Sequence, residues 1–320
     1  MAHRIAVSII NYRTGALTIQ CIRSVLDDLT GIDARIVVVD NCSHDGSAEE
    51  IEAWIADQPD TAPVQLVRSA DNGGFSAGHN QGIAAVRADY YLILNSDTLL
   101  RAGFFKSLLA AADAAPTAGL IAPRLTGEDG TVQTSCFRFP SPYSELIRGA
   151  NSGPVTRALK RHEVALGPHP DPARIEWASF ACILLRADMI RDIGPMDEGY
   201  FLYFEDAEYS LRAARAGWQI AHEPRAVAVH FRGGSGPVKT LATARKRLPA
   251  YYYRSRSRFF CQAHGRAGLL AANLLWVGGR AVAQLRRLAG KSVPPMIEAE
   301  RRDIWINAIT PLAGRAGASD

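Results

Sequence analysis

Short apolar runs and segments of helical period alternate through the first hundred residues of the chain. Ile5-Ala-Val-Ser-Ile-Ile10 is an apolar run that stops at Asn11, the pattern of a buried strand. Ala16, Leu17, Ile19, Ile22, Val25, Leu26 and Leu29 then return at helical spacing. Arg35-Ile-Val-Val-Val-Asp40 is β-branched and nearly continuous, as a central parallel strand covered on both faces requires. Residues 46–57 read as a helix with Ile51, Trp54 and Ile55 inward, 64–67 as a strand and 74–87 as a helix. Tyr90-Tyr-Leu-Ile-Leu94 is a strand ending at Asn95-Ser-Asp97. The alternation predicts an α/β fold with a Rossmann-like, mostly parallel sheet, helices on both faces and ligands at the carboxyl ends of the strands.

Polar residues stand at those ends: Asp40 and Asn41 after one strand, Asn72, Gly73 and Gly74 after another, Asn95, Ser96 and Asp97 after a third. Each alone is ordinary turn chemistry. Three facing one edge suggest a site. Beyond a helix at 103–115 and a turn at 127–130, residues 136–174 show little periodicity and read as a long functional loop. Strands are predicted at 175–185, 218–222 and 226–231. Between them, an aromatic run, Tyr200-Phe-Leu-Tyr-Phe204, delivers Glu205 and Asp206 to the start of a helix. Unpaired N–H groups and the macrodipole there favour the ionised carboxylate, so Asp206 is expected to stay charged near neutral pH, as a general base must.

The tail changes the electrostatic picture. Net charge is +4, yet residues 224–297 contain 14 Lys or Arg and no Asp or Glu, leaving about −10 on the remainder. Such a block seeks anionic partners. The apolar stretch 267–285 is interrupted by Asn273, Arg280 and Gln284, which disfavours a membrane-spanning helix. An interfacial helix with Trp276 on its apolar side is expected, the alternative being a helix packed on the catalytic domain. Tyr251–Tyr253 interleaves with Arg, but no nucleic-acid motif accompanies it, so nucleic acid is disfavoured as a partner. With 48% hydrophobic and 21% charged residues the chain is of globular type. The N-terminus lacks the pattern of a signal peptide, so a cytoplasmic protein is expected. Five scattered cysteines without a C-x-x-C pair indicate neither a disulfide framework nor a zinc site.

Asp97 at a strand end suits Mg²⁺ or Mn²⁺ bridging to a diphosphate, and His230, before the glycine-rich Arg232–Gly236, is a candidate further ligand. The glycines at 73, 74, 78 and 82 do not satisfy G-x-G-x-x-G, and no Walker A sequence occurs, which disfavours NAD and ATP.

Ser8-Ile-Ile-Asn-Tyr, Val38-Val-Asp-Asn-Cys-Ser-His-Asp-Gly-Ser47, Asn72-Gly-Gly-Phe-Ser-Ala-Gly-His-Asn-Gln-Gly82, Leu94-Asn-Ser-Asp97, Met196-Asp-Glu-Gly-Tyr-Phe-Leu-Tyr-Phe-Glu-Asp206 and His230-Phe-Arg-Gly-Gly-Ser235 occur in the order found in glycosyltransferase family 2. The chain resembles most its rhamnosyltransferase branch, which includes bacterial enzymes of cell-envelope glycan assembly, over about residues 4–260. The resemblance implies a GT-A fold in residues 1–238, with a nucleotide half to about 100 and an acceptor half after it, and a basic helical extension in 239–320. It implies inverting, metal-dependent transfer from a nucleotide-diphosphate sugar, dTDP-L-rhamnose or alternatively a UDP-sugar, to a saccharide or polyprenyl-diphosphate-linked acceptor. Such an enzyme would sit on the inner face of the cytoplasmic membrane. By motif, Asp206 is the catalytic base, and Asp97 and His230 hold the metal. Asn11, Asp40, Asn41, Asn72, Gly73, Gly74, Asn95, Ser96, Gly234 and Ser235 line the donor, while Glu205 and Trp177 position the acceptor. Asp40 would accept from the pyrimidine N–H. Asn95 stands where many relatives carry the first Asp of D-x-D, Glu208 stands where Asp is common, and the Q-x-x-R-W signature of processive synthases is missing. A sugar nucleotidyltransferase and an inactive glycan-binding scaffold are competing readings.

Overall fold

The computed structural model describes residues 2–231 and 237–314. The chain opens with β1 (His3–Asn11), α1 (Gly15–Asp28), β2 (Ala34–Asp40), α2 (Ser47–Ala56), β3 (Val64–Arg68), α3 (Gly74–Ala84) and β4 (Ala88–Asn95). These are the alternating elements expected from the periodicity. They pair in parallel, β2 between β3 and β1, and β1 between β2 and β4. Alternate side chains of β4 feed opposite faces: Tyr90, Leu92 and Leu94 enter the core under α1 and α4, Tyr91 and Ile93 the core on the other side.

The second half contributes β5 (Thr98–Leu100), α4 (Phe104–Ala114), β6 (Ala118–Thr126), β7 (Cys136–Phe137), α5 (Pro142–Ala150), α6 (Gly153–Ala158), β8 (Trp177–Ala178), β9 (Cys182–Arg186), α7 (Ala187–Ile193), α8 (Glu205–Arg215), β10 (Gln219–His230), α9 (Val238–Thr243), α10 (Ala250–Leu288) and α11 (Glu300–Asp303). Among the described residues the main sheet runs β3-β2-β1-β4-β9-β6-β10-β5. β9 is antiparallel to both β4 and β6, and β5 to β10, so the fold is a mixed, mostly parallel α/β sheet.

Three local expectations need correction. β6, absent from the periodicity reading, is a nearly fully buried strand whose interior Pro123 disguises it. Pro123 lies opposite Glu223, where the register of β10 shifts, and the same irregularity splits one strand into the two predicted at 218–222 and 226–231. Residues 136–174 are not a structureless loop: Ser141 caps α5 in a capping box with Ser144, and Pro142, at the helix start, needs no N–H partner there.

α10 runs 39 residues, bent at Gly265, whose φ of 71° and ψ of 178° leave the helical region. It crosses α5 where glycines let the backbones touch: a Cβ on Gly149 would meet the Trp276 carbonyl at 2.4 Å, and one on Gly279 the Leu146 carbonyl at 2.5 Å. Trp276 is therefore buried against α5, and the expectation that it faces a membrane is overturned. Several cations of the basic block are also spent internally. Arg256, buried, donates to Glu145 at 2.7 Å and to Asn273 Oδ1 at 2.7 Å, and Arg247 pairs with Asp303 at 2.7 Å. Burial alone would raise the Glu145 carboxyl, but the Arg148 and Arg256 guanidiniums bring it down to about 2.

Candidate active site

A cavity of about 540 Å³ opens at the carboxyl ends of β1, β2 and β4. Of the residues expected at the donor, Asn41, Asn72, Gly74, Asn95 and Ser96 line it. Asn41 Nδ2 donates to Asn72 Oδ1 at 3.0 Å and to the Gly74 carbonyl at 3.1 Å, while its Oδ1 is buried with no protein partner among the described residues. Gly73 caps α3 outside the lining. Gly74 has φ +81°, and a Cβ there would lie 2.1 Å from the Phe201 carbonyl, which accepts from Phe75 N at 2.7 Å. The donor-side turn thus abuts the aromatic run. Phe201 and Leu202 wall the cavity with Pro249 and Tyr251.

Asn11 and Asp40 behave differently from expectation. Asn11 is fully buried; its Nδ2 reaches Asp40 Oδ1, Ser43 Oγ and Ser47 Oγ, and its Oδ1 accepts from Thr14 and Thr18. Its amide is consumed inside the protein, so it braces the loops after β1 and β2 instead of lining the cavity. Asp40 is also buried, with Oδ1 taking Ser43 Oγ at 2.6 Å and Oδ2 taking Ser43 N at 3.2 Å, and it too is absent from the cavity lining. Gly234 and Ser235 lie outside the described residues.

Asp97 follows Ser96 in the turn between β4 and β5, and His230 ends β10 opposite Thr98. The Phe231 N–H donates to the Asp97 carbonyl at 3.0 Å, and Gln133 Nε2 donates to the His230 carbonyl at 2.8 Å. The pinned backbones bring His230 Nε2 within 3.5 Å of Asp97 Oδ1, both side chains nearly buried. That separation suits two groups sharing one small cation. Among the described residues no third His, Cys, Asp or Glu joins them to complete a cluster. A carboxylate and an imidazole are donors that fit a divalent cation such as Mg²⁺ or Mn²⁺.

Tyr203 and Phe204 both adopt φ near +70°, a left-handed pair just before α8 that is sterically costly. Tyr252 packs on both rings and Phe259 on Phe204, so α10 holds the turn. The turn buries Glu205, whose Oε2 has no partner among the described residues, and leaves Asp206 partly exposed. Burial raises the Asp206 carboxyl to about 7, against the lowering effect of the Ala207, Asp206 and Phe180 backbone N–H groups and of Lys239. The helix start therefore does not hold Asp206 at an ordinary carboxylate value; desolvation wins. Glu205 is pushed well above the carboxylate range by burial and then by the charge of Asp206. Phe180 and Ala181 connect the two halves of the site, since the Asn95 N–H donates to the Ala181 carbonyl at 2.9 Å next to Phe180.

Trp177 donates from Nε1 to the Arg138 carbonyl at 2.8 Å and stacks on Phe137 at 4.2 Å, packing beside Phe204 outside the cavity lining. Glu208, of open role in the sequence, binds Arg212 at 2.8 Å, and Arg212 also donates to the Ile193 and Pro195 carbonyls. This pair ties α8 to the loop before it. Sequence reading missed Pro249, Tyr251, Tyr252 and Phe259 as part of the site; the available signal was Tyr252 and Phe259, seven residues apart on one face of α10 and obscured by the intervening arginines.

The model of the family described as glycosyl transferase family 2 matches residues 6–154. The N-acetylglucosaminyl-diphospho-decaprenol L-rhamnosyltransferase of Mycobacterium tuberculosis is 28% identical over 234 residues, covering 66% of this chain and 72% of the relative. The pre-mycofactocin glycosyltransferase of the same organism is 26% identical over 328 residues, covering 96% of this chain and 63% of the relative. Among solved structures, the mannosyltransferase PcManGT from Pyrobaculum calidifontis, in complex with GDP-Man and Mn²⁺, superposes with a TM-score of 0.57 at 17% identity over 92% of this chain and 77% of that one. GalNAc-T7 with UDP, GalNAc and Mn²⁺ gives a TM-score of 0.58 at 14% identity over 97% of this chain and 58% of that one. The chain thus has a GT-A fold, matches the glycosyl transferase family 2 model over residues 6–154, and is a glycosyltransferase.

Proposed function

We propose that the enzyme transfers a sugar with inversion from a nucleotide-diphosphate donor, dTDP-L-rhamnose by preference, to a hydroxyl of a saccharide carried on a polyprenyl diphosphate. The observation that carries this reading is the continuity of the cavity wall with the cation pair: Asn95 and Ser96 line the cavity, and Asp97, next in the chain, faces His230. Rhamnose and the lipid-linked acceptor are supported by the name of the mycobacterial rhamnosyltransferase relative.

The nucleoside occupies the cavity between Asn41 and Tyr12, with the partnerless Asn41 Oδ1 available to accept from a base N–H. Asp97 and His230 hold Mg²⁺ or Mn²⁺, which when bound offsets charge on the departing diphosphate. Asp206 takes the proton of the acceptor hydroxyl as that oxygen bonds to the anomeric carbon and the bond from that carbon to the diphosphate oxygen breaks. Glu205, protonated beside it, donates to a sugar hydroxyl. Residues 1–238 form the catalytic unit and 239–320 an extension that contributes Pro249 and Tyr251 to the wall of the donor cavity.

The test is nucleoside diphosphate release by purified protein from dTDP-L-rhamnose and from UDP- and GDP-sugars, with Mn²⁺ or EDTA. Metal-dependent release favouring dTDP-L-rhamnose is expected. Preference for a UDP-sugar would replace the donor assignment, and no release from any donor, with or without saccharide acceptor, would reject the reading.

A further inference from the structure

The outward face of α10 beyond Gly265 carries Leu270, Leu274, Val277, Ala281, Leu285 and Leu288, recurring at every third or fourth position. This is one stripe of the helix. Leu270 is 51% exposed, Leu274 55%, Leu285 66% and Leu288 77%. Single exposed leucines are ordinary, but a continuous row of them on a helix is a contact surface. The opposite face cannot supply an alternative orientation, because it is fixed on α5 by Trp276 and the Gly149–Gly279 crossing. No helix of the described residues is long and apolar enough to cross a membrane.

Charge decides what covers the stripe. Arg266 and Arg287 fall along its border and Lys291 follows its end, with no acidic residue between 224 and 297, while Glu300 faces Arg280 on the side that meets α5. Arg266 also donates to the carbonyl of Ile309, a side chain 82% exposed, so the apolar surface continues beside the bend of α10. A second copy of this chain would bring two basic borders together. An anionic lipid surface complements both features, with leucines among the acyl chains and arginines at the head groups.

We propose that α10 docks the enzyme on an anionic bilayer through the Leu270–Leu288 stripe, lying in the plane of the interface. The proposal rests on the lipid-linked acceptor reading and names the surface that serves it. Because the same helix places Tyr251 in the cavity wall, docking sets the donor cavity at a fixed position relative to the head groups.

The experiment is co-sedimentation of the full chain with vesicles of phosphatidylglycerol and phosphatidylcholine, or phosphatidylcholine alone, at low and high salt. Binding to the anionic vesicles, weakened by salt, is expected. Leu274→Glu/Leu285→Glu, at two exposed positions, should lower the partition coefficient at least about tenfold, and Arg287→Glu/Lys291→Glu should abolish the preference for anionic lipid. Both variants should keep native release of nucleoside diphosphate from soluble donor. Native protein left in the supernatant, or leucine variants that sediment like native, would overturn the proposal, as would a dimer in light scattering that the leucine variants dissociate. Loss of donor turnover in the native protein would instead strike the proposed reaction and leave the vesicle result standing.

Discussion

Arg258 of α10 grips Asp197 with two hydrogen bonds, Nε to Oδ2 and Nη2 to Oδ1, each 2.9 Å long. Asp197 opens the loop that carries the aromatic run and then Glu205 and Asp206. Gln262 adds a bond to Asp197 Oδ2 at 2.8 Å and a contact to the Tyr200 hydroxyl. A Cβ on Gly199 would fall 2.2 Å from the Arg258 guanidinium carbon, so a side chain there would push the guanidinium away from Asp197. The helix that looked like a basic tail fixes the loop on which the candidate base is mounted.

Arg258→Ala should therefore impair transfer more than donor binding. Removing one member of a mostly buried pair costs about 3 kcal/mol or more in stability, and the released loop should lower kcat with little change in donor Kd. Steady-state kinetics beside calorimetric donor titration checks this. Arg258→Lys should recover stability in part but not the two-bond geometry.

The raised carboxyl of Asp206 gives a pH signature. The base works only when ionised, so kcat/KM should climb as pH rises through about 7. Stability should move the other way: with the folded pKa above the unfolded one, the folded state binds more protons between about 4 and 7. The protonated group's contribution is full below that window and lost as pH rises through it. A Tm series from pH 5 to 8 should fall more steeply for the native protein than for Asp206→Asn.

Gly74→Ala should damage both fold and donor site. A left-handed φ costs a residue with a side chain roughly 1–2 kcal/mol, and the new methyl collides with the Phe201 carbonyl. Urea denaturation should show a loss beyond the conformational cost alone, with weaker donor binding. Native donor affinity would contradict the docking of this turn on the aromatic run.

His230→Ala should weaken Mn²⁺-dependent donor binding by at least the roughly 10–100-fold typical of losing an outer-shell metal partner. Donor titrations with Mn²⁺ and with EDTA separate this from general loss of binding. Equal donor affinity in native and variant protein with Mn²⁺ would remove His230 from the cation site.

The first half of the fold was legible because its strands are uninterrupted and its helices periodic, as Val37 to Val39 and Ile19 to Leu26 illustrate. Pro123 and Pro142 hid β6 and α5, one as a breaker inside a strand, the other as a helix start read as a loop. Within the site, Asn41, Asn72 and the Asp97–His230 pair could be found as strand-end polar residues. Asn11 and Asp40 looked alike in sequence, yet their mutual bond turns them inward. Trp276 could not be oriented from composition, because which side of α10 meets α5 depends on Gly149 and Gly279, 130 residues apart.

The most direct measurement is a comparison of native protein and Asp206→Asn in two assays, Mn²⁺-dependent donor binding and sugar transfer to acceptor. Transfer should drop about 10²–10⁴-fold while donor affinity stays within experimental error of native. Undiminished transfer by the variant would contradict the assignment of Asp206 as the base.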